Sequence, residues 1–99
     1  MTEYSEVHGV TDIRKINRMI RERVKKARDR KTLTKLYRES LYLVTLTHGS
    51  PWKEAFRGKI LSMRDTAKSE FRKTAIAINR RCRELSINAT YDTKWGPGR

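Results

Sequence analysis

Trp52, Phe56, Ile60, Met63, Ala67, Phe71, Thr74, Ile78, Cys82 and Leu85 recur at spacings of 4, 4, 3, 4, 4, 3, 4, 4 and 3. An eleven-residue repeat of this kind averages about 3.67 residues per turn, so its apolar stripe stays on one face of a straight helix. Gly58 is the only breaker inside it. Upstream, Gly49 suits the residue that ends a helix, Ser50 an N-cap and Pro51 a first helical position. The spacing therefore predicts one helix over about 51–87, roughly 55 Å long at 1.5 Å per residue. A stripe of that length must be covered, and this requirement limits what the rest of the chain can do.

Two shorter amphipathic segments precede it. Ile13, Ile16, Ile20, Val24 and Ala27 form a narrow apolar stripe over about 12–30, with Thr11 or Asp12 as the expected N-cap. Leu33, Leu36, Tyr37, Ser40, Leu41, Val44 and Thr47 form a second face over about 32–48, with Thr32 or Thr34 as the expected cap. At 100° per residue the two faces differ by more than about a third of a turn. A break near Arg28–Thr32 resolves the conflict. Leu41–Thr47 also has strand propensity, but a lone strand would leave its backbone unpaired, so helix is the better assignment.

The expected fold is all-α: two shorter helices, end to end, packed antiparallel on the long C-terminal helix. Leu33, Leu36, Tyr37, Leu41, Val44, Trp52, Phe56, Ile60, Met63, Phe71, Ile78 and Leu85 are the expected core or oligomer contacts. Leu61, Ile76 and Ile87 fall on the other side of the long helix. A homodimer is the simplest way to cover them, and they are the candidate oligomer interface.

Ninety-nine residues make a single domain, 1–99. Residues 1–10 read as a flexible arm, with Tyr4 and Val7 as candidates to pack down. Residues 88–99 read as an irregular tail, in which Trp95 packs on the domain. Cys82 is the only cysteine and falls in phase with apolar neighbours, so a buried thiol is expected and an internal disulfide is excluded. No apolar run approaches the ~20 residues needed to span a bilayer, and the acidic start lacks the layout of a secretory signal. A soluble, cytoplasmic protein with no membrane partner is expected.

Charge supplies the functional expectation. Between Arg14 and Arg38 twelve Lys or Arg residues face only Glu22 and Asp29, a net +10 out of +13 for the whole chain. Such a density attracts polyanions and repels copies of itself. Arg14, Arg18, Arg21, Lys25 and Arg28 share the first helix and its end, and Lys53, Arg57, Arg64, Lys68 and Arg72 run along one flank of the long helix. These ten are the candidate nucleic-acid-binding residues, through phosphate contacts that release counterions. Arg21, Lys25 and Arg28 share a face away from the apolar stripe. Enzymatic signals are absent: His8 and His48 have no Cys or His at metal-ligand spacing, and there is no nucleophile motif or phosphate loop. No catalytic residue, metal site or cofactor is assigned. A small, basic, non-enzymatic binding protein is expected, with nucleic acid as the partner. The alternative is an adaptor or regulatory protein whose basic face docks an acidic protein surface.

Overall fold

The computed structural model describes residues 7–49, 52, 54 and 56–95. Its long helices among the described residues are α1 (Val10–Lys26), α2 (Arg30–Thr47) and α3 (Ile60–Glu84), and Trp52 and Glu54 are also helical. Among the described residues there is no strand, and Leu41–Thr47 lies within α2. Both shorter helices pack on α3, as the sequence pattern requires.

Cross-helix bonds set the directions. Asn17 of α1 meets Ser40 of α2 and Thr74 of α3. Arg64, early in α3, meets Thr47 at the end of α2, while Arg81, late in α3, meets Ala27 just past α1. Hence α2 runs antiparallel to both neighbours and α1 runs parallel to α3. The end-to-end placement of the shorter helices is thereby corrected to a side-by-side antiparallel pair. Length explains why: at 1.5 Å per residue the 25 residues of α3 span about 37 Å, too short for helices of about 25 and 27 Å laid in line.

That shortening comes from Gly58. Its φ of 73° lies in the left-handed region, which an α-helix cannot pass through and glycine adopts without a Cβ clash. The Lys59 N–H donates to Phe56 O, three residues back, and α3 starts only at Ile60. Trp52 and Glu54 are helical and the Phe56 N–H donates to Trp52 O at 2.9 Å, so the single helix expected from 51 is interrupted at Gly58 rather than continuous; Ser50 and Pro51 lie outside the described residues. The far end falls at Glu84 rather than 87. There the Ile87 N–H donates to Cys82 O and the Ser86 N–H to Arg83 O, a Schellman closure with Ser86 at φ 58°.

The break between α1 and α2 falls where the phase conflict demands, slightly earlier than expected. Ala27 is extended, and Asp29 is the N-cap of α2, accepting from the Thr32 N–H at 3.3 Å and the Thr32 hydroxyl at 2.7 Å. Those bonds, the hydroxyl first, hold the Asp29 carboxyl below its usual pKa against the opposing effect of desolvation. Thr32 is thus a donor to the cap, not the cap itself. At the other end of α1, Thr11 and Asp12 lie inside the first turn. Asp12 accepts from the His8 N–H at 2.7 Å, and Gly9 precedes the helix.

Two apolar clusters fill the bundle. One joins Val7, Ile13, Leu43, Val44, Met63, Ala67, Phe71 and Ala75; the other joins Ile20, Val24, Ala27, Leu33, Leu36, Ile78 and Cys82. Tyr37, Leu41, Trp52, Phe56 and Leu85 are only partly buried and pack on their margins. Burial pushes the Cys82 thiol above its usual pKa, with the Arg30 charge opposing. Residues 87–95, without helix or strand, run the length of the α2–α3 side. The Asn79 amide donates to Tyr91 O at 2.9 Å and accepts the Tyr91 N–H at 2.8 Å, Tyr37 donates to Asp92 O, and the Trp95 ring sits 4.3 Å from that of His48.

Between the clusters lies a polar node that periodicity did not disclose. Asn17 is fully buried; its Oδ1 accepts from Ser40 at 2.6 Å and from Thr74 at 3.0 Å, and its Nδ2 donates to Ile13 O. Asn17→Ala should destabilise the fold by about 2–4 kcal/mol, since it leaves a cavity and takes the acceptor from two buried hydroxyls. Urea unfolding with an unchanged midpoint would contradict this. Ser86→Gly should act in the opposite sense, stabilising by roughly 0.5–1 kcal/mol by relieving a left-handed serine, less glycine's added chain entropy.

Candidate nucleic-acid interface

The helix geometry divides the ten candidate cations between two edges of α3. Arg14, Arg18, Arg21 and Lys25 project from α1 along its seam with α3. Arg64, Lys68 and Arg72 lie on the opposite edge of α3, facing α2 and the tail. Arg28 is exposed in the link after α1, and Arg57 is exposed, 3.8 Å from Glu54. Lys53 lies outside the described residues. The single surface envisaged from two helical flanks is therefore two surfaces.

Several of these cations are occupied structurally. Arg21 Nη1 donates to Glu70 Oε1 at 3.0 Å and to Thr74 Oγ1 at 3.3 Å, and the Glu70 side chain is only 7% exposed. Arg64 Nε donates to Thr47 O at 2.9 Å, satisfying a carbonyl at the end of α2. Lys68 Nζ sits 5.6 Å from the centre of the Trp95 ring, a cation–π distance. Lys25 pairs with Glu22 at 3.1 Å, both exposed, a contact of little energetic weight. Arg14, Arg18, Arg28 and Arg72 are exposed.

What sequence reading missed is the α3 wall of the seam. Lys73, Ala77, Arg80 and Arg81 recur at helical spacing on the edge that meets α1, and the signal was present as a second cationic row. Its relevance depended on the direction of α1, which periodicity does not set. Two separate hollows lie along this seam, with Arg21 of one ion-paired to Glu70 of the other. One is lined by Arg14, Thr66, Ser69 and Lys73, with Asp65 and Glu70. The other, about 430 Å³, has cationic walls of Arg18, Arg21 and Lys25 against Arg80 and Arg81, with Glu22 and Glu84, over Val24 and Ala77.

The same topology gathers charge at one end of the bundle. The end of α1, its link, the start of α2 and the end of α3 meet there, joined by the Arg81 Nε bond to Ala27 O. Residues 22–35 and 79–86 contribute ten cations against Glu22, Asp29 and Glu84, a net +7 of the chain's +13. Of those ten only Arg81 is partly buried; the rest are exposed.

The candidate oligomer residues also separate. Leu61 and Ile76 are 67% and 39% exposed, whereas the Schellman turn brings Ile87 inward onto the Cys82 cluster. Among the described residues no group of His, Cys, Asp and Glu is arranged to hold a metal, and no helix is long and apolar enough to cross a membrane. Comparison with family models, with curated proteins and with solved structures gave no match to this chain, so its function is argued from its own residues.

Charge reversal at neighbouring seam positions should separate structural from free cations. Arg21→Glu faces a buried carboxylate with a second one and should destabilise by about 2 kcal/mol, discounted for the partial exposure of the pair. Lys25→Glu should change stability by less than about 0.5 kcal/mol. Equal thermal shifts for the two variants would contradict the assignment.

Proposed function

We propose that this protein is a non-enzymatic binding protein for nucleic acid, held through phosphates at the basic end of its bundle. The observation supporting the reading is that net +7 concentrated where three helix ends meet, on side chains directed to solvent. Concentration distinguishes this from a charged but evenly solvated surface. The bundle measures 43 × 27 × 18 Å. A duplex carries one phosphate charge per about 1.7 Å of axis, so a stretch as long as the bundle's middle dimension presents about 16. Several phosphates can therefore be neutralised at once, each with release of condensed counterions.

Arginine suits this chemistry because its planar fork matches two phosphate oxygens. Residues 22–35 and 79–86 include no aromatic, and Tyr91, which the tail brings there, is engaged with Thr34 and Asn79, which argues for backbone contact over base stacking. Binding should consequently be insensitive to sequence and steep in salt.

The test is titration of two unrelated duplexes at two salt concentrations. Affinities should agree between duplexes and fall steeply from about 50 to 200 mM salt. Lys26→Glu with Arg28→Glu and Lys31→Glu should flatten the log–log slope by roughly 0.9 for each phosphate that is no longer neutralised. Lys15→Glu with Arg57→Glu and Lys59→Glu, an equal change of charge at the other end, should leave the slope nearly unchanged. Absence of duplex binding at the lower salt would overturn the reading and leave the basic end to an acidic protein surface.

A further inference from the structure

Among the described residues, Arg18 and Arg80 stand apart from the other cations of the larger seam hollow. Arg21 is matched by Glu70, Lys25 by Glu22 and Arg81 by Glu84. Neither Arg18 nor Arg80 has an ion-pair or hydrogen-bond partner among the described residues, and both are exposed. They approach the same hollow from different helices, Arg18 from α1 and Arg80 from α3, over the small side chain of Ala77. Two like charges facing one hollow repel each other unless an anion sits between them.

The matched cations help as well. Arg81 is held by Ala27 O and Glu84, and Arg21 by Glu70 and Thr74, so the walls are fixed before any ligand arrives. Fixed walls reduce the ordering cost of binding. One turn back along α1, Arg14 opens with Lys73 onto a second hollow that Thr66 and Ser69 line together with Asp65 and Glu70, whose carboxylate is already taken by Arg21 and Lys73. The rise of an α-helix puts Arg14 about 6 Å from Arg18 along the axis. Cations one turn apart along one seam, Arg14 beyond the Arg18–Arg80 pair, suit a chain of linked phosphates better than a single ion.

We propose that the α1–α3 seam is a track for a nucleic-acid backbone, in which Arg18 and Arg80 clamp one phosphate and Arg14 receives the next. The inference rests on the nucleic-acid reading and adds where the strand lies and which atoms it presents. The seam has no aromatic wall, so the ligand is recognised by its phosphodiester chain and not by its bases.

Two double variants test it at equal charge. Arg18→Ala with Arg80→Ala removes the clamp. Lys15→Ala with Lys59→Ala removes two exposed cations that lie outside both the seam hollows and the basic end. The clamp variant should lose about tenfold or more in affinity for a mixed-sequence 20-mer, while the control loses less than about threefold. Both should keep the wild-type helicity and melting temperature, because all four side chains are exposed. An abasic phosphodiester strand of equal length should bind the wild type within about threefold of the normal strand. Equal losses in the two variants would overturn the track while leaving nucleic-acid binding intact. Strong preference for the base-bearing strand would overturn it too. A wild type that binds neither strand at low salt would remove the underlying reading itself.

Discussion

Asn17 is the residue on which the arrangement of the three helices depends. It is buried at the level where the two apolar clusters meet, and it bonds one hydroxyl from each of the other helices. Apolar stripes alone tolerate a slip of one turn, because Ile, Leu and Val positions repeat every three or four residues. The node does not. A shift of α1 by one turn would carry the Asn17 amide away from Ser40 and Thr74 and strand three buried polar groups, each at about 1–3 kcal/mol. Arg21 and Glu70 extend the restriction to the edge of the seam. A core built only of aliphatic residues would be at least as stable, so the role we assign to the node is specification of register.

Arginine serves two different purposes in this chain. Arg64 and Arg81, seventeen residues apart on α3, each donate Nε to a terminal carbonyl, Thr47 O in the last residue of α2 and Ala27 O just past α1. Helix C-termini leave their last carbonyls without intrahelical partners, and these two bonds satisfy some of them from a neighbouring helix. The tail completes the closure on the α2–α3 side, with the Asn79 side chain pairing with Tyr91 as a neighbouring backbone would. Sequence reading treats all arginines on a helix surface alike. Only the packed structure separates those that hold helix ends from those left to solvent.

Helix-forming segments were legible because their physics is local. Apolar spacing located all three helices, and the phase conflict between Ile13–Ala27 and Leu33–Thr47 required the break that Asp29 caps. What was not legible depends on non-local geometry. Gly58 looks tolerable within a stripe that continues on both sides, and only its left-handed backbone shows that the helical segment is interrupted there. Ser86 gives no composition cue for a position that usually takes glycine. Asn17 sits between apolar positions and reads as surface until Ser40 and Thr74 are brought to it. The candidate cations were assigned to a single surface because α1 was expected to run antiparallel to α3, whereas it runs parallel.

The basic end contains cations that folding explains and cations that folding disfavours. Arg23, Lys25 and Lys26 occupy the last turn of α1, and Arg81 and Arg83 the last turn of α3, where positive charge complements the helix dipole. Arg30 and Lys31 occupy the first turn of α2, whose N-terminal half-charge is already positive, and no acidic residue accompanies them inside that turn. Arg28 adds a further cation just before it. These three oppose the local electrostatics of the helix they introduce, with Asp29 as the sole nearby carboxylate in the link. Departures from local rules are expected where a sequence serves a function besides folding. The cations with least to contribute to stability thus lie at the exposed end where a phosphate backbone is proposed to bind, which supports that reading independently of the total charge.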